Sequence, residues 1–163
     1  MKPKYSLDEI SQIIDLSEIL GRQPSEVELK QFSDDAIELI IERTQSGEDI
    51  NGRRFKEYSK EYAELKGTSR SSVDLTLMGD MLLGIQAEQD RGRIRLFMEP
   101  DQVPKAYNHN VGDTLPKRTF FGLTDTEIET LAGSLGVANI AETREDFDIA
   151  SILQNIGFAI DEN

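Results

Sequence analysis

The chain has 163 residues, with 31 Asp and Glu against 18 Lys and Arg, no Cys, no Trp and one His, for a formal net charge of −13. Zero Cys excludes disulfides, thiolate zinc sites, iron–sulfur clusters and Cys nucleophiles, and one His excludes a multi-His metal centre within a single chain. The negative charge opposes binding to nucleic acid or to an anionic membrane, where clustered cations must meet the phosphates. No apolar run reaches the roughly 18 residues needed to span a bilayer. Met1-Lys2-Pro3-Lys4-Tyr5 lacks the apolar core of a signal peptide. The expectation is a soluble intracellular protein without catalytic activity.

Ser6-Leu7-Asp8-Glu9 reads as a capping box, with Ile10, Ile13, Ile14 and Leu20 following at helical spacing and Gly21 as a stop. Pro24-Ser25-Glu26-Val27-Glu28 offers a second box. The stripe Val27, Leu29, Phe32, Ala36, Leu39, Ile40 and Arg43 predicts a long helix over about 25–46, ended by Gly47. A polar loop follows over 48–56, then a short helix from Ser59 to Leu65 stopped by Gly67. Thr68 to Ser72 is a loop by composition, and Val73 to Leu77 alternates as a short strand or extended segment. Gly79 breaks the chain before a helical turn over Asp80 to Leu83. The clearest β pattern is a hairpin over about 85–99, in which Ile94, Leu96 and Met98 alternate with Arg93, Arg95, Phe97 and Glu99 around the turn Asp90-Arg91-Gly92.

Val103 to Asn110 predicts a short helix with Pro104 in its first turn and Gly112 as its stop. Residues 113–121 read as extended, with Pro116 near the start, so that Phe120 and Phe121 alternate across a strand. Thr124-Asp125-Thr126-Glu127 is a third capping box, opening a helix that Gly133 and Gly136 weaken. Glu145 to Ile156 reads as a short acidic helix. The fold class is α+β: a small antiparallel sheet packed by the long helix and shorter ones, with terminal arms. The predicted organisation is a helical arm over 1–22, a core over 23–136 and an acidic helical extension over 137–163.

Residues 1–52 hold 12 acids and 5 bases, residues 53–123 hold 10 and 12, and residues 124–163 hold 9 and 1. A slightly basic centre between acidic ends favours head-to-tail contact between copies, though acidic helices also simply solvate a surface. Arg53, Arg54 and Lys56 with Tyr58, Lys60 and Tyr62 interleave cations and aromatics like a nucleic-acid patch, but Glu57, Glu61 and Glu64 lie among them. Arg93 and Arg95 share the polar face of their strand, where they suit either solvent or an acidic partner. His109, the single histidine, is either a general base or a helix-end residue that satisfies carbonyls. Carboxylate pairs such as Asp34-Asp35 are better explained by solvation, and no EF-hand spacing or phosphate-binding glycine loop occurs. No cofactor or metal is expected.

Three stretches, read in order, carry a family likeness. They are Arg54-Phe55-Lys56-Glu57-Tyr58-Ser59-Lys60-Glu61-Tyr62-Ala63 with Lys66-Gly67; Val73-Asp74-Leu75-Thr76-Leu77-Met78-Gly79-Asp80-Met81-Leu82; and Ala106-Tyr107-Asn108-His109-Asn110, Gly112, then Leu115-Pro116-Lys117-Arg118-Thr119-Phe120-Phe121-Gly122-Leu123-Thr124. Together they resemble the virion-morphogenesis (tail-completion, neck) proteins of tailed bacteriophages, over about residues 25–133. Met78 stands where the family usually has Thr before Gly-Asp, and Thr119 where it often has Pro.

The resemblance implies a non-enzymatic virion component, assembled in the host cytoplasm into a hexameric or alternatively dodecameric ring at the neck. Its implied partners are further copies of itself and other neck, portal or tail proteins, with DNA crossing an acidic channel without specific binding. Arg53, Arg54, Arg93, Arg95, Arg118, Phe120 and Phe121 are the candidate subunit-interface residues of such a ring, with Arg118 pairing a carboxylate. Gly79, Asp80, His109, Gly112 and Pro116 are the expected structural residues, with Asp80 capping the turn after Gly79. The alternatives are a small acidic adaptor that binds one soluble partner, and a hydrolase using two carboxylates.

Overall fold

The strongest β pattern in the sequence builds the middle of the sheet. The computed structural model describes residues 10–71, 73, 79–112 and 116–146, and of residues 79, 80 and 136–146 the backbone alone. Strand β1 spans Ser11–Asp15, followed by helices α1 (Leu16–Leu20), α2 (Glu26–Gln45), α3 (Lys60–Lys66) and α4 (Gly79–Leu83). Strands β2 (Ile85–Asp90) and β3 (Arg93–Met98) come next, then helices α5 (Val103–Val111) and α6 (Asp125–Asp146). The sheet is antiparallel in the order β1-β3-β2, so β3 has a partner on each side. The chain is α+β, as its patterning predicts.

The hairpin forms because Arg91 and Gly92 both adopt left-handed backbone, with φ of 52° and 81°, the geometry a two-residue turn needs to match strand twist. Ile94, Leu96 and Met98 point into the core with Ile14 and Ile85, and α2 packs against them. The opposite face carries Ile13, Arg95 and Glu88 in one cross-strand row and Asp15, Arg93 and Asp90 in the next.

The main correction concerns the N-terminal arm. Residues 11–15 are a strand rather than a helix, and they belong to the sheet. The spacing of Ile10, Ile13 and Ile14 fits one helical face, but β-branched residues also suit a half-buried strand, and the edge of β3 supplies a partner about 80 positions away that local patterning does not contain. Ile14 is the one fully buried residue of the strand, and Ile13 is left 68% exposed. Helix α1 then starts on Asp15, whose carboxylate accepts from the Ser17 hydroxyl (2.6 Å) and the Glu18 amide (3.2 Å), and ends on Gly21 at φ 69°. Those two donors hold the Asp15 carboxyl below the usual carboxylate range. The predicted box at Ser6–Glu9 lies outside the described residues.

Helix α2 begins where the second capping box places it. Ser25 Oγ accepts from the Glu28 amide (3.1 Å) and Glu28 returns a carboxylate oxygen to the Ser25 amide (3.0 Å). Leu29, Phe32, Ala36 and Ile40 are buried along one face, while Val27 is exposed. Helix α3 runs from its Ser59 cap to Gly67, as predicted. Residues 74–78 of the predicted extended segment lie outside the described residues.

Helix α6 opens on the third capping box, with Glu127 N to Thr124 Oγ1 at 3.2 Å and Thr124 N to Glu127 Oε1 at 2.9 Å. Its backbone continues through Gly133 and Gly136 to Asp146, so the expected boundary at 136 falls inside a continuous helix. Ile128, Ala132 and Leu135 are buried, and packing of this face on α1 and α2 offsets the roughly 1 kcal/mol per glycine that a helix interior costs. Residues 147–156 of the predicted acidic helix lie outside the described residues.

Candidate functional site

Three elements converge where α5 ends, and the residues of the family-like third stretch meet those of the first. Helix α5 stops at Gly112, whose φ of 79° turns the chain back on itself. The returning strand of chain crosses the helix end so closely that a Cβ at Gly112 would sit 2.7 Å from Lys117 Cβ and 2.8 Å from its Cα. Glycine is required there both by conformation and by space. The Arg118 amide then donates to the His109 carbonyl (2.7 Å), which satisfies one of the carbonyls the helix end leaves open.

The segment from 116 to 124 makes no strand. Side chains replace the missing ladder. Asn110 Oδ1 accepts from both the Phe120 amide (3.0 Å) and the Phe121 amide (2.9 Å), and Thr119 Oγ1 donates to the Asn110 carbonyl (3.0 Å). Arg43, on α2, donates one guanidinium nitrogen to the Glu127 carboxylate (2.7 and 2.8 Å) and the other to the carbonyls of Phe120 and Gly122, each at 2.8 Å. Gln12, on β1, closes a two-way pair with Leu123, Nε2 to its carbonyl at 2.9 Å and Oε1 from its amide at 2.8 Å.

Arg118 ties this segment to the first stretch. It is 4% exposed. Its Nε donates to the Lys56 carbonyl (2.9 Å) and its Nη2 to the Glu57 carbonyl (3.0 Å), with the guanidinium 5.2 Å from the centroid of the Tyr58 ring. Lys66 caps the other end of Tyr58, donating to its hydroxyl at 2.9 Å. The expected carboxylate partner of Arg118 is thus replaced by two backbone carbonyls and an aromatic face. Burial pushes the guanidinium's pKa below its ordinary value, against the opposing pull of Tyr58 and Tyr62.

Phe120 and Phe121 are both buried, in an edge-to-face pair with centroids 6.3 Å apart. They do not alternate across a strand, and with Arg118 they belong to the interior rather than to a subunit surface. The left-handed Gly122 (φ 110°) follows at once and turns the chain toward α6. His109 is buried too, its pKa lowered to about 4, first by loss of solvent and then by the Arg118 charge. Its Nδ1 has no hydrogen-bond partner among the described residues. The His109 backbone carbonyl accepts from the Arg118 amide, and the buried ring lies within reach of the Arg118 charge.

Of the expected surface residues, Arg53 and Arg54 are exposed, and Arg54 donates to the Ser71 carbonyl (3.1 Å). Arg93 and Arg95 lie on the outer face of the sheet, but each already has a carboxylate: Arg93 with Asp15 at 3.7 Å, Arg95 with Glu88 at 3.0 Å and stacked over Phe97. Their cross-strand neighbours leave that face close to neutral, so it offers little pull on an acidic partner. Gly79 and Asp80 form the first turn of α4, the Asp80 side chain lying outside the described residues; Pro116 is exposed. Sequence reading missed Asn110, Arg43 and Gln12 as organising residues. A signal existed for Arg43, which falls on the apolar stripe of α2, where a cation must find buried acceptors.

Among the described residues no three His, Asp or Glu side chains gather as metal ligands, and no helix is long and apolar enough to cross a membrane. Comparison with protein-family models, curated proteins and solved structures finds no match.

Proposed function

We propose that the chain is a structural protein of a tailed-phage virion, forming a ring at the neck that completes the tail or joins it to the head. One observation carries this reading. Arg118 joins two of the three stretches on which the resemblance rests, bonding carbonyls 62 and 61 positions away in sequence. Their order along the chain is therefore matched by a physical union. In that union Asn110 and Arg118 hold backbone, and Arg118 lies over the Tyr58 ring. This suits a scaffold that must keep its shape while its surfaces contact neighbours.

The test is deletion of the coding sequence from the phage that carries it, with particles viewed by electron microscopy. The expected result is separate heads and tails, restored by the chain supplied in trans, with a ring of this protein at the neck of complemented particles. Normal infectious particles without the protein overturn the reading, as does a stable complex with one soluble partner that never enters particles.

A further inference from the structure

The cations of this chain fall into two groups. Outside residues 53–70 and 117–118, each arginine whose side chain is described pairs with a carboxylate: Arg22 with Glu28, Arg43 with Glu127, Arg91 with Asp90, Arg93 with Asp15 and Arg95 with Glu88. Within those residues none does. Arg54, Arg70 and Arg118 donate to backbone carbonyls. Arg53, Lys56, Lys60 and Lys117 are exposed, with no ion pair among the described residues. Residues 53–70 carry six cations and three carboxylates, Glu57, Glu61 and Glu64, and Lys117 and Arg118 add to the cations. In a chain of net charge −13, this lobe carries more cations than carboxylates among the described residues.

The lobe hangs at the C-terminal end of α2. The Phe55 amide donates to the Gly47 carbonyl (2.9 Å), and the backbones of Glu48 and Arg54 form an antiparallel β-bridge. The exposed face of α2 runs away from it and is acidic. Glu26, Lys30, Asp34, Glu38 and Glu42 are all exposed and recur every fourth residue, so they form one stripe. Lys30 is occupied by Asp34 at 2.9 Å, while Glu26, Glu38 and Glu42 have no ion pair among the described residues. With 20 residues, α2 is about 30 Å long, so the N-terminal part of the stripe lies far from the lobe in the same chain. Each surface also holds an exposed apolar side chain, Leu65 on α3 in the lobe and Val27 beside the stripe.

We propose that the 53–70 lobe of one copy docks on the acidic α2 stripe of the next. This rests on the ring reading above and names the surface that would close the ring. Two different patches at two ends of a domain make a heterologous contact, which propagates head to tail and closes when the rotation allows. A polyanion such as duplex DNA is the competing occupant. It is disfavoured because the three glutamates interrupt the cations, because Tyr58 is buried under Arg118 rather than presented for stacking, and because the rest of the chain repels phosphate.

The test uses the full chain and two charge reversals at exposed positions: Arg53→Glu with Arg54→Glu in the lobe, and Asp34→Lys with Glu38→Lys on the stripe. Sedimentation velocity reads association. The wild type associates at about 50 mM salt and dissociates by about 500 mM, because exposed ion pairs are screened. Each reversal alone weakens association by about tenfold or more. Mixing the two reversed proteins restores it, since every contact between unlike copies is then attractive, a result that mere damage to the fold does not give. A monomeric wild type at low salt, association indifferent to both reversals, or a mixture that stays apart overturns the proposal. So does a shift of duplex DNA by the wild type that the lobe reversal abolishes while association survives. The particle test above is independent: unjoined heads and tails with no rescue in the mixture would remove this interface and leave the neck role, and rescue with normal particles would do the reverse.

Discussion

The Arg118 guanidinium lies 5.2 Å from the centre of the Tyr58 ring while its nitrogens hold the carbonyls of Lys56 and Glu57 on either side. One side chain thus stacks on a residue and fixes the backbone leading into it. This geometry needs a planar fork with donors at set angles, which a lysine ammonium does not have.

Arg118→Lys is therefore expected to destabilise the chain by about 2 kcal/mol even though the charge is kept, because two charge-assisted hydrogen bonds from a buried side chain to the backbone are lost or bent. Urea denaturation followed by far-UV circular dichroism gives the value. A change within a few tenths of a kcal/mol would mean that the carbonyls of Lys56 and Glu57 find water in its place.

Asn110→Ala removes the acceptor shared by the Phe120 and Phe121 amides. Both amides are buried, and leaving them unpaired is expected to cost about 2–4 kcal/mol. Hydrogen exchange is the sharper readout. Protection of these two amides should fall far more than that of the hairpin amides of β2 and β3, and equal loss at both places would show that the residue supports the whole fold instead.

Gly112 and Gly67 have nearly the same backbone, with φ of 79° and 75°. A Cβ at Gly67 meets nothing within 4 Å, whereas one at Gly112 meets Lys117 backbone at 2.8 and 2.9 Å. Gly67→Ala is expected to cost about 1 kcal/mol, the conformational term alone. Gly112→Ala adds a clash with main chain that cannot rotate away, for about 3 kcal/mol or more. Equal losses in thermal denaturation would mean that the 116–124 segment moves freely off the helix end.

His109 makes stability depend on pH. Its pKa is about 4 in the folded chain against an ordinary 6.5. Between those values the unfolded chain binds a proton that the folded chain does not, so stability is full above about pH 6.5 and falls as pH drops toward 4. From about pH 7 to about pH 5 the expected loss from this group is about 2 kcal/mol. His109→Gln should remove that part of the slope and leave the part due to carboxylates. An identical slope in the variant would show that the ring charges in place without loss.

Local physics wrote much of this fold into the sequence. Ser25 with Glu28, and Thr124 with Glu127, cap helices through groups three residues apart. Alternation in Arg93 to Met98 named the buried face of the central strand, and Gly67 and Gly112 ended their helices as read. Each of these depends on contacts within one turn or one hairpin.

Residues 11–15 and 116–124 were not legible in this way. The first is a strand only because β3 presents an edge to it, and the second keeps its shape only because Asn110, Arg43 and Gln12 reach it from three other elements. The sign of the central charge was visible in composition, but its grouping was not. Arg93 and Arg95 are neutralised across the sheet, while Arg53, Lys56 and Lys117 make no ion pair among the described residues, and Arg118 draws the 117–118 segment onto the 56–57 backbone. By itself the sequence determined helix ends, the hairpin and a basic centre between acidic flanks. Tertiary structure decided which side chains are buried anchors and which cations pair with carboxylates among the described residues, since burial and pairing depend on residues far apart in the chain.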